Sequence, residues 1–551
     1  MLHGNFDCSL KLARSILRRD RLSILAWVVI LVASSTILAP GIDAMFPGEA
    51  ARLTVAQIYD NPIMVSMMGP LYGIGGAGGF SAGAMYSGFM LIWVIIAVAL
   101  MNIFFVVRHT RADEERGRAE VVRSLPVGRL ANLNATMISA VLVNALLALL
   151  TGAGIALTGV EGMGWGGSML YGTVVGAAGL AFAAIAALFC QLSSSPSGAS
   201  AMSGIALGVF YMVRAAGDAA DNDLIACLSP LGLATRSQVY VGNYIWPTLA
   251  TLLAAAVVAA IAYRLNFIRD LGQGFIAAKP GRAEAARSLL SPFGLAWRLL
   301  RVALISWVIS MFLLACSYGT VMGDLPAFIG DSPEYLQVIG IPASVLGAMT
   351  EADKAEIIVK YFGAFITTIM TLICIVPVLN AALRPCAEEK EGRAEHIVAR
   401  AVPRWKYMCG FVSLAFAASV VLQFAVASGL YVTTDSMLDV NPFVFSDLLK
   451  AYFSFLPAVW AMIGFAVFIV GLLPKATGLV WGFYGFAAFA SFIGGMLDLP
   501  EWLSSISPLH HVPRLPLEDF AIAPLVVLTA AAALLTVAGF VFYNRRDTLA
   551  S

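Results

Sequence analysis

The chain has 551 residues, of which 60% are hydrophobic and only 12% charged. A soluble domain carries roughly 25% charged residues, so this composition argues against a soluble globular enzyme. Basic and acidic residues nearly cancel, 34 against 33, which excludes a nucleic-acid binder working by bulk charge.

The many apolar runs of about 20 residues each match the helical length that crosses a hydrocarbon core. Period-2 alternation is absent, which excludes a barrel. The expected fold class is therefore an all-α polytopic membrane protein, with twelve transmembrane helices in two parallel six-helix repeats. In chain order, residues 1–21 are expected to form a cytoplasmic interfacial helix, because Leu12–Arg21 mixes apolar and basic residues at helical spacing. The first six-helix domain covers 22–265. Its spans are Leu22–Ala39, Ala84–Val107, Ala135–Leu157, Met169–Leu192, Ser197–Val213 and Trp246–Tyr263. The fifth follows a break at Ser193-Ser194-Ser195-Pro196. The run from Leu22 is too long for a signal-peptide core and reads as an uncleaved first helix. A cytoplasmic linker and a second interfacial helix, Leu295–Arg301, occupy 266–301.

The second domain covers 302–543, with spans Val302–Met322, Phe362–Leu383, Met408–Tyr431, Ala451–Leu473, Ala476–Met496 and Phe520–Tyr543. Residues 544–551 form a cytoplasmic tail. Most of the 34 Lys and Arg fall on the side holding both termini, which assigns that side to the cytoplasm. The seven cysteines show no CxxC and read as small hydrophobes.

A duplication is written into the charged loops. Glu114-Glu115-Arg116-Gly117-Arg118-Ala119-Glu120 after span two matches Glu389-Lys390-Glu391-Gly392-Arg393-Ala394-Glu395 after span eight. Pro126 and Pro403 follow shortly. The first segment reads as a helix over Arg111–Arg123, with Glu114–Arg118 and Arg116–Glu120 as pairs one turn apart, and Glu389–Arg393 repeats the pattern. A solvated juxtamembrane helix explains one such segment. Two at equivalent positions suggest two equivalent docking partners.

No GxxxxGK[ST] occurs, so no P-loop can cradle ATP phosphates. The Gly73–Gly79 run reads as flexible or re-entrant backbone on the outer side. Ionisable residues within the spans are nearly absent. Arg214 is the exception, close enough to a span end to snorkel, and this argues against ion coupling. The amides Asn102, Asn144, Asn380 and Gln423 serve either as helix glue or as path lining. Aromatic residues such as Phe105, Phe210 and Trp481 serve either packing or a path for a lipophilic substrate. The path candidates are Asn102, Phe105, Phe210, Asn380 and Trp481. No catalytic or metal-binding constellation is found.

The run Arg111–Arg129, with its Glu-Glu-Arg-Gly-Arg-Ala-Glu core and Leu125-Pro126-Val127-Gly128-Arg129 ending, resembles permeases of the ABC exporters linked to polyketide antibiotics, the tetronasin-resistance type. Arg269-Asp270-Leu271-Gly272 with Ser291-Pro292-Phe293-Gly294-Leu295-Ala296-Trp297-Arg298 is similar to that family's linker between halves. Ser507–Pro513 is similar to its segment before the last helix. The second-half copy departs at Lys390-Glu391 and at Ala401-Val402-Pro403-Arg404.

The resemblance implies two fused permease domains in a bacterial cytoplasmic membrane and no catalysis by this chain. A separate ATP-binding cassette subunit, in two copies, would bind ATP and Mg. The coupling segments 108–130 and 384–406 would dock on it through Glu114, Glu115, Gly117, Arg118, Glu120, Arg123 and Pro126, and through Glu389, Gly392, Arg393, Glu395 and Pro403. The substrate would be a lipophilic antibiotic or drug. Two alternatives stay open: a proton-coupled secondary transporter of the 6+6 kind, and an exporter of cell-envelope lipids.

Overall fold

Apolar runs bounded by Ser, Gly and Pro fold as helices throughout. The computed structural model describes residues 3–59, 62–75, 79–276, 284–322, 351–400, 402–437, 443–493 and 500–546, and among these there is no strand. Among the described residues, eleven helices are long and apolar enough to cross a membrane. The chain divides into two compact units, Met1–Gly281 and Arg282–Ser551, and the division falls inside the expected linker.

In the first unit α1 (Ser9–Arg19) lies apart from α2 (Arg21–Met45), separated only at Asp20. The helices α3 (Ala82–His109), then the short α4 (Arg111–Glu115) and α5 (Arg118–Arg123), lead to α6 (Ala131–Leu157) and α7 (Trp165–Leu192). The hydroxyl of Ser195 caps α8 (Pro196–Ala219) by accepting from Gly198 N–H, so the Ser-Ser-Ser-Pro break is where expected. The unit closes with α9 (Trp246–Ile268).

Helix α7 is the centre, packed on α3, α6, α8 and α9. Its apolar window is 78% buried, against 22% for α2, α8 and α9, whose faces are left for lipid. Small residues permit this approach: a Cβ on Gly172 would sit 2.1 Å from the Ala148 carbonyl oxygen on α6.

In the second unit the expected interfacial helix does not stand apart. Residues 295–301 belong to α10 (Pro292–Val321), a single helix capped by Ser291, because no polar break like Asp20 interrupts it. The unit continues with α11 (Glu351–Lys390), the short α12 (Arg393–Val398) and α13 (Arg404–Met437). The next span begins earlier than expected, as α14 (Phe445–Ser454), and bends at Phe455 into α15 (Leu456–Leu472). The expected span Ala476–Met496 is α16 (Gly478–Ile493), with 16 residues too short to count among the eleven. Residues 494–496 of that span lie outside the described residues, as do the middle of the Gly73–Gly79 run and most of the loop after span seven. The last helix is α17 (Ile522–Arg545). Helix α15 packs on α11 and α17, and α13 packs on α10 and α11.

Candidate functional site

The charged loops do not form the continuous helix expected over Arg111–Arg123. The segment is a helix–turn–helix, broken at Arg116 and Gly117, where Gly117 takes φ +69°. Gly392 sits at the same point of the second copy with φ +71°. A left-handed residue turns the chain sharply, and glycine adopts that conformation without a Cβ clash. This break defeats the expected pairs. Arg118 reaches Asp113 at 3.2 Å instead of Glu114, and Arg393 reaches Glu388 at 2.6 Å instead of Glu389. The Glu388 bond holds the Arg393 guanidinium above its ordinary value.

Glu114 and Glu389 instead point into the protein. Glu114 receives Arg111 and also Arg269, the residue that follows α9, with Arg269 Nη1 at 3.0 Å from Oε2. Glu389 receives Arg546, at the end of α17, at 2.7 Å. All four anchoring side chains are at most 15% exposed. The likeness extends one bond further. Arg129 donates to the Arg269 carbonyl at 3.1 Å, and Arg404 donates to the Arg546 carbonyl at 2.5 Å. Each unit thus clamps its second-helix loop to the end of its sixth expected span.

Beyond the clamp most of the charged residues are exposed. Glu115, Arg116, Arg118, Glu120, Arg123 and Pro126 are exposed in the first copy, and Lys390, Glu391, Arg393, Glu395 and Pro403 in the second. Val121 and Leu125 are 69% and 59% exposed on the first loop, and Trp405 is 46% exposed next to the second. The first corner has an additional brace. Gly128 N–H donates to Asp7 O and Leu130 N–H to Asn5 O, so the N-terminal residues cross its exit.

A buried polar cluster supports the first loop. His109 shares a hydrogen with Asp20 at 2.8 Å, and Arg19 bridges His109 and Asp113. Arg214 is not snorkelling, contrary to expectation. It is fully buried, pairs with Asp218 at 3.1 Å and donates to the Ser66 and Met67 carbonyls. Asp218 also binds Arg236. Ionisable residues are thus present in α8, which runs past Val213 to Ala219, but they are mutually compensated. Burial beside this network pushes the Tyr72 phenol up to about 12.

The amides separate into glue and lining. Asn102 and Asn144 exchange two hydrogen bonds, 3.0 and 2.7 Å, across α3 and α6, and both are buried. Gln423 pairs with Thr371 at 3.1 Å. Asn380 is different: it is exposed and has no side-chain hydrogen bond among the described residues. It lines a cleft of about 440 Å³ together with Trp481, Trp307 and Lys390. Phe105 packs on the His109 ring at 4.7 Å and Phe210 on Phe182 at 6.3 Å. Of the five expected path residues, Asn380 and Trp481 meet in this larger cavity. Asn102 and Phe105 border one of about 70 Å³.

Sequence reasoning missed the anchoring arginines. The signal was available, since α9 and α17 both run out into Arg-Asp, at Arg269-Asp270 and Arg546-Asp547.

These helices and their two clamped loops define a multi-pass membrane protein. A family model described as "Multidrug efflux system permease Rv1217c, C-terminal domain" matches residues 15–267 and 289–544, and the chain belongs to that family. It is similar to the multidrug efflux system permease protein Rv1217c of Mycobacterium tuberculosis (strain ATCC 25618 / H37Rv), 34% identical over 560 residues, covering 99% of this chain and 96% of the relative.

Proposed function

We propose that the chain is the membrane-spanning subunit of an ATP-driven exporter of the ABC type, working on lipophilic antibiotics or drugs in a bacterial cytoplasmic membrane. The observation that carries this reading is the clamped helix–turn–helix, present once in each unit with the same acid, the same glycine and the same closing arginine. A loop that serves only as a connection has no need of a buried ion pair at its root. A loop that transmits force does, because a rigid root turns a push on the exposed part into a tilt of the helices. The partner is an ATP-binding cassette subunit in two copies, carrying ATP and Mg. Its contacts on this chain are Glu115, Arg118, Glu120, Arg123 and Pro126 in one loop, and Arg393, Glu395 and Pro403 in the other. Glu114, Glu389, Gly117 and Gly392 act from behind as positioning residues.

The charged end of each unit is then cytoplasmic, with both termini on that side, in keeping with the distribution of basic residues. The relative is a multidrug efflux permease by name, which supports export as the direction and drugs as the cargo.

The test is transport into inverted vesicles that hold the chain and its ATP-binding subunit. Drug uptake requiring Mg-ATP, and persisting when the proton gradient is collapsed, supports the reading. Uptake driven by a proton gradient in vesicles holding this chain alone overturns it in favour of secondary transport.

A further inference from the structure

The two units carry related clefts between their first and second spans, and they differ in ways that bear on what they hold. In the first unit one wall is Asp20, the residue before α2, with Ser23, Ile24 and Trp27 of α2. In the second the wall of α10 is Leu300, Ala303, Leu304 and Trp307. Both are i, i+3, i+4, i+7 stripes ending in tryptophan, so the same helical face is used twice. The first cleft is closed down to about 70 Å³. Phe105 and Arg108 line it, and Asp20, also in its wall, pairs with Arg108 at 3.2 Å and with His109 at 2.8 Å.

Aligning the acidic-basic loops places Asn380 where the first unit has Phe105, Cys386 where it has Arg111, and Lys390 where it has Glu115. Each exchange removes bulk or replaces a negative charge by a positive one. Of the three first-unit residues only Phe105 lines the small cleft, whereas Asn380, Cys386 and Lys390 all line the cleft of about 440 Å³ in the second unit. Its walls are mostly apolar, between Trp307 and Trp481, with Pro377 and Leu383 behind. Arg384 and Lys390 stand towards one end. Among the described residues no Asp or Glu lines it. Arg384 is partly offset by Glu388 at 2.6 Å, whereas Lys390 forms no ion pair among the described residues. Asn380, ten residues before Lys390 on the same helix, lies about 15 Å deeper.

We propose that this cleft binds an acidic amphiphile, with its carboxylate or phosphate head at Lys390 and Arg384 and its apolar body between Trp307 and Trp481. Asn380, an exposed amide with no protein partner for its side chain among the described residues, gives the body of such a molecule one polar contact. Lys390 supplies the unpaired cation that a dry, neutral cargo would not need. The inference deepens the export reading and rests on it, since it takes the occupant to be cargo. It assigns cargo binding to the second unit, while the matching face of the first unit is filled by its own side chains.

The experiment uses the purified full chain in phosphatidylcholine nanodiscs, with no ATP and no second subunit. The probe is dibrominated stearic acid, compared with its methyl ester; its bromines quench any of the ten tryptophans they approach, so the cleft signal is the part of the quenching lost in Trp307→Phe and Trp481→Phe. The acid should bind more tightly than the ester. Lys390→Glu should weaken the acid by about tenfold and leave the ester unchanged, as expected for loss of a charge-assisted contact. Asn380→Phe should weaken both.

Equal binding of acid and ester by the unaltered chain, or an unchanged acid affinity in Lys390→Glu, overturns the proposal. Lys390 is exposed, so that variant keeps its fold even where Asn380→Phe does not. Adding phosphatidylglycerol separates two sources of the same chemistry. Competition identifies a membrane lipid as an occupant, and its absence identifies a cargo distinct from the bilayer; both satisfy the proposal. Because ATP is absent, failure here leaves the ATP-driven reading intact, and failure of ATP coupling leaves this binding intact.

Discussion

Glu114 and Arg269, 155 positions apart, meet in a buried ion pair that ties the loop after α3 to the end of α9. Arg111 enters the same carboxylate and passes its other nitrogen to the Gly272 carbonyl at 2.9 Å. Two guanidinium groups therefore depend on one acid. The second unit needs only Glu389 and Arg546 at the equivalent place, because Cys386 stands where Arg111 would be.

Glu114→Gln should therefore destabilise the chain more than Glu389→Gln. Removing one partner of a buried pair leaves an uncompensated charge and costs about 3–5 kcal/mol, and here two arginines lose their counter-ion. Thermal aggregation in detergent, followed by size exclusion, measures it. Adding Arg269→Met to Glu114→Gln should recover part of the loss. Equal melting of both single variants and the parent would contradict the clamp.

Gly117→Ala and Gly392→Ala should each cost about 1 kcal/mol, the penalty of a left-handed backbone with a Cβ. The added methyl meets nothing within 4 Å at either position, so the cost is conformational alone. Both variants should fold, and drug-stimulated ATP hydrolysis by the assembled pump should fall in each. Full hydrolysis with full transport would show that the turn geometry is dispensable.

Asn102 and Asn144 form a closed amide pair, so their effects should not add. Each change to Leu leaves the other amide with only its bond to its own helix, Asn102 to the Val98 carbonyl or Asn144 to the Ala140 carbonyl, at about 1 kcal/mol within a membrane. The double change removes both amides together and should cost less than the two single changes combined. A strictly additive cycle, measured by thermal stability, would mean that the pair contributes no coupling.

The span pattern was legible because hydropathy reports lipid contact directly, and Ser195 and Pro196 marked their break by capping chemistry. The ends were less legible. Phe445–Ser454 joins the span after it through a bend that hydropathy does not register, and α10 absorbed a basic stretch expected to lie apart. The charged loops were found by their repetition, yet their pairing was misassigned. Spacing of four residues favours a pair only while the helix continues, and Gly117 ends it. The burial of Arg214 was hidden for a similar reason: its partner Asp218 lay beyond the expected end of its span, in residues read as loop. Asn102 and Asn380 look alike in sequence, and only the facing helix decides that one is sealed by Asn144 and the other opens on a cleft.

The central claim is that both exposed loops touch an ATP-binding subunit. A photo-reactive phenylalanine analogue at Leu125, and separately at Arg400, tests it in the complex purified while it hydrolyses ATP. Leu125 is exposed beyond the first clamp, and Arg400 is exposed beyond the second. The account predicts a cross-link from each position to the ATP-binding subunit, mapped by mass spectrometry. An active, drug-transporting complex in which neither position cross-links to that subunit would contradict it.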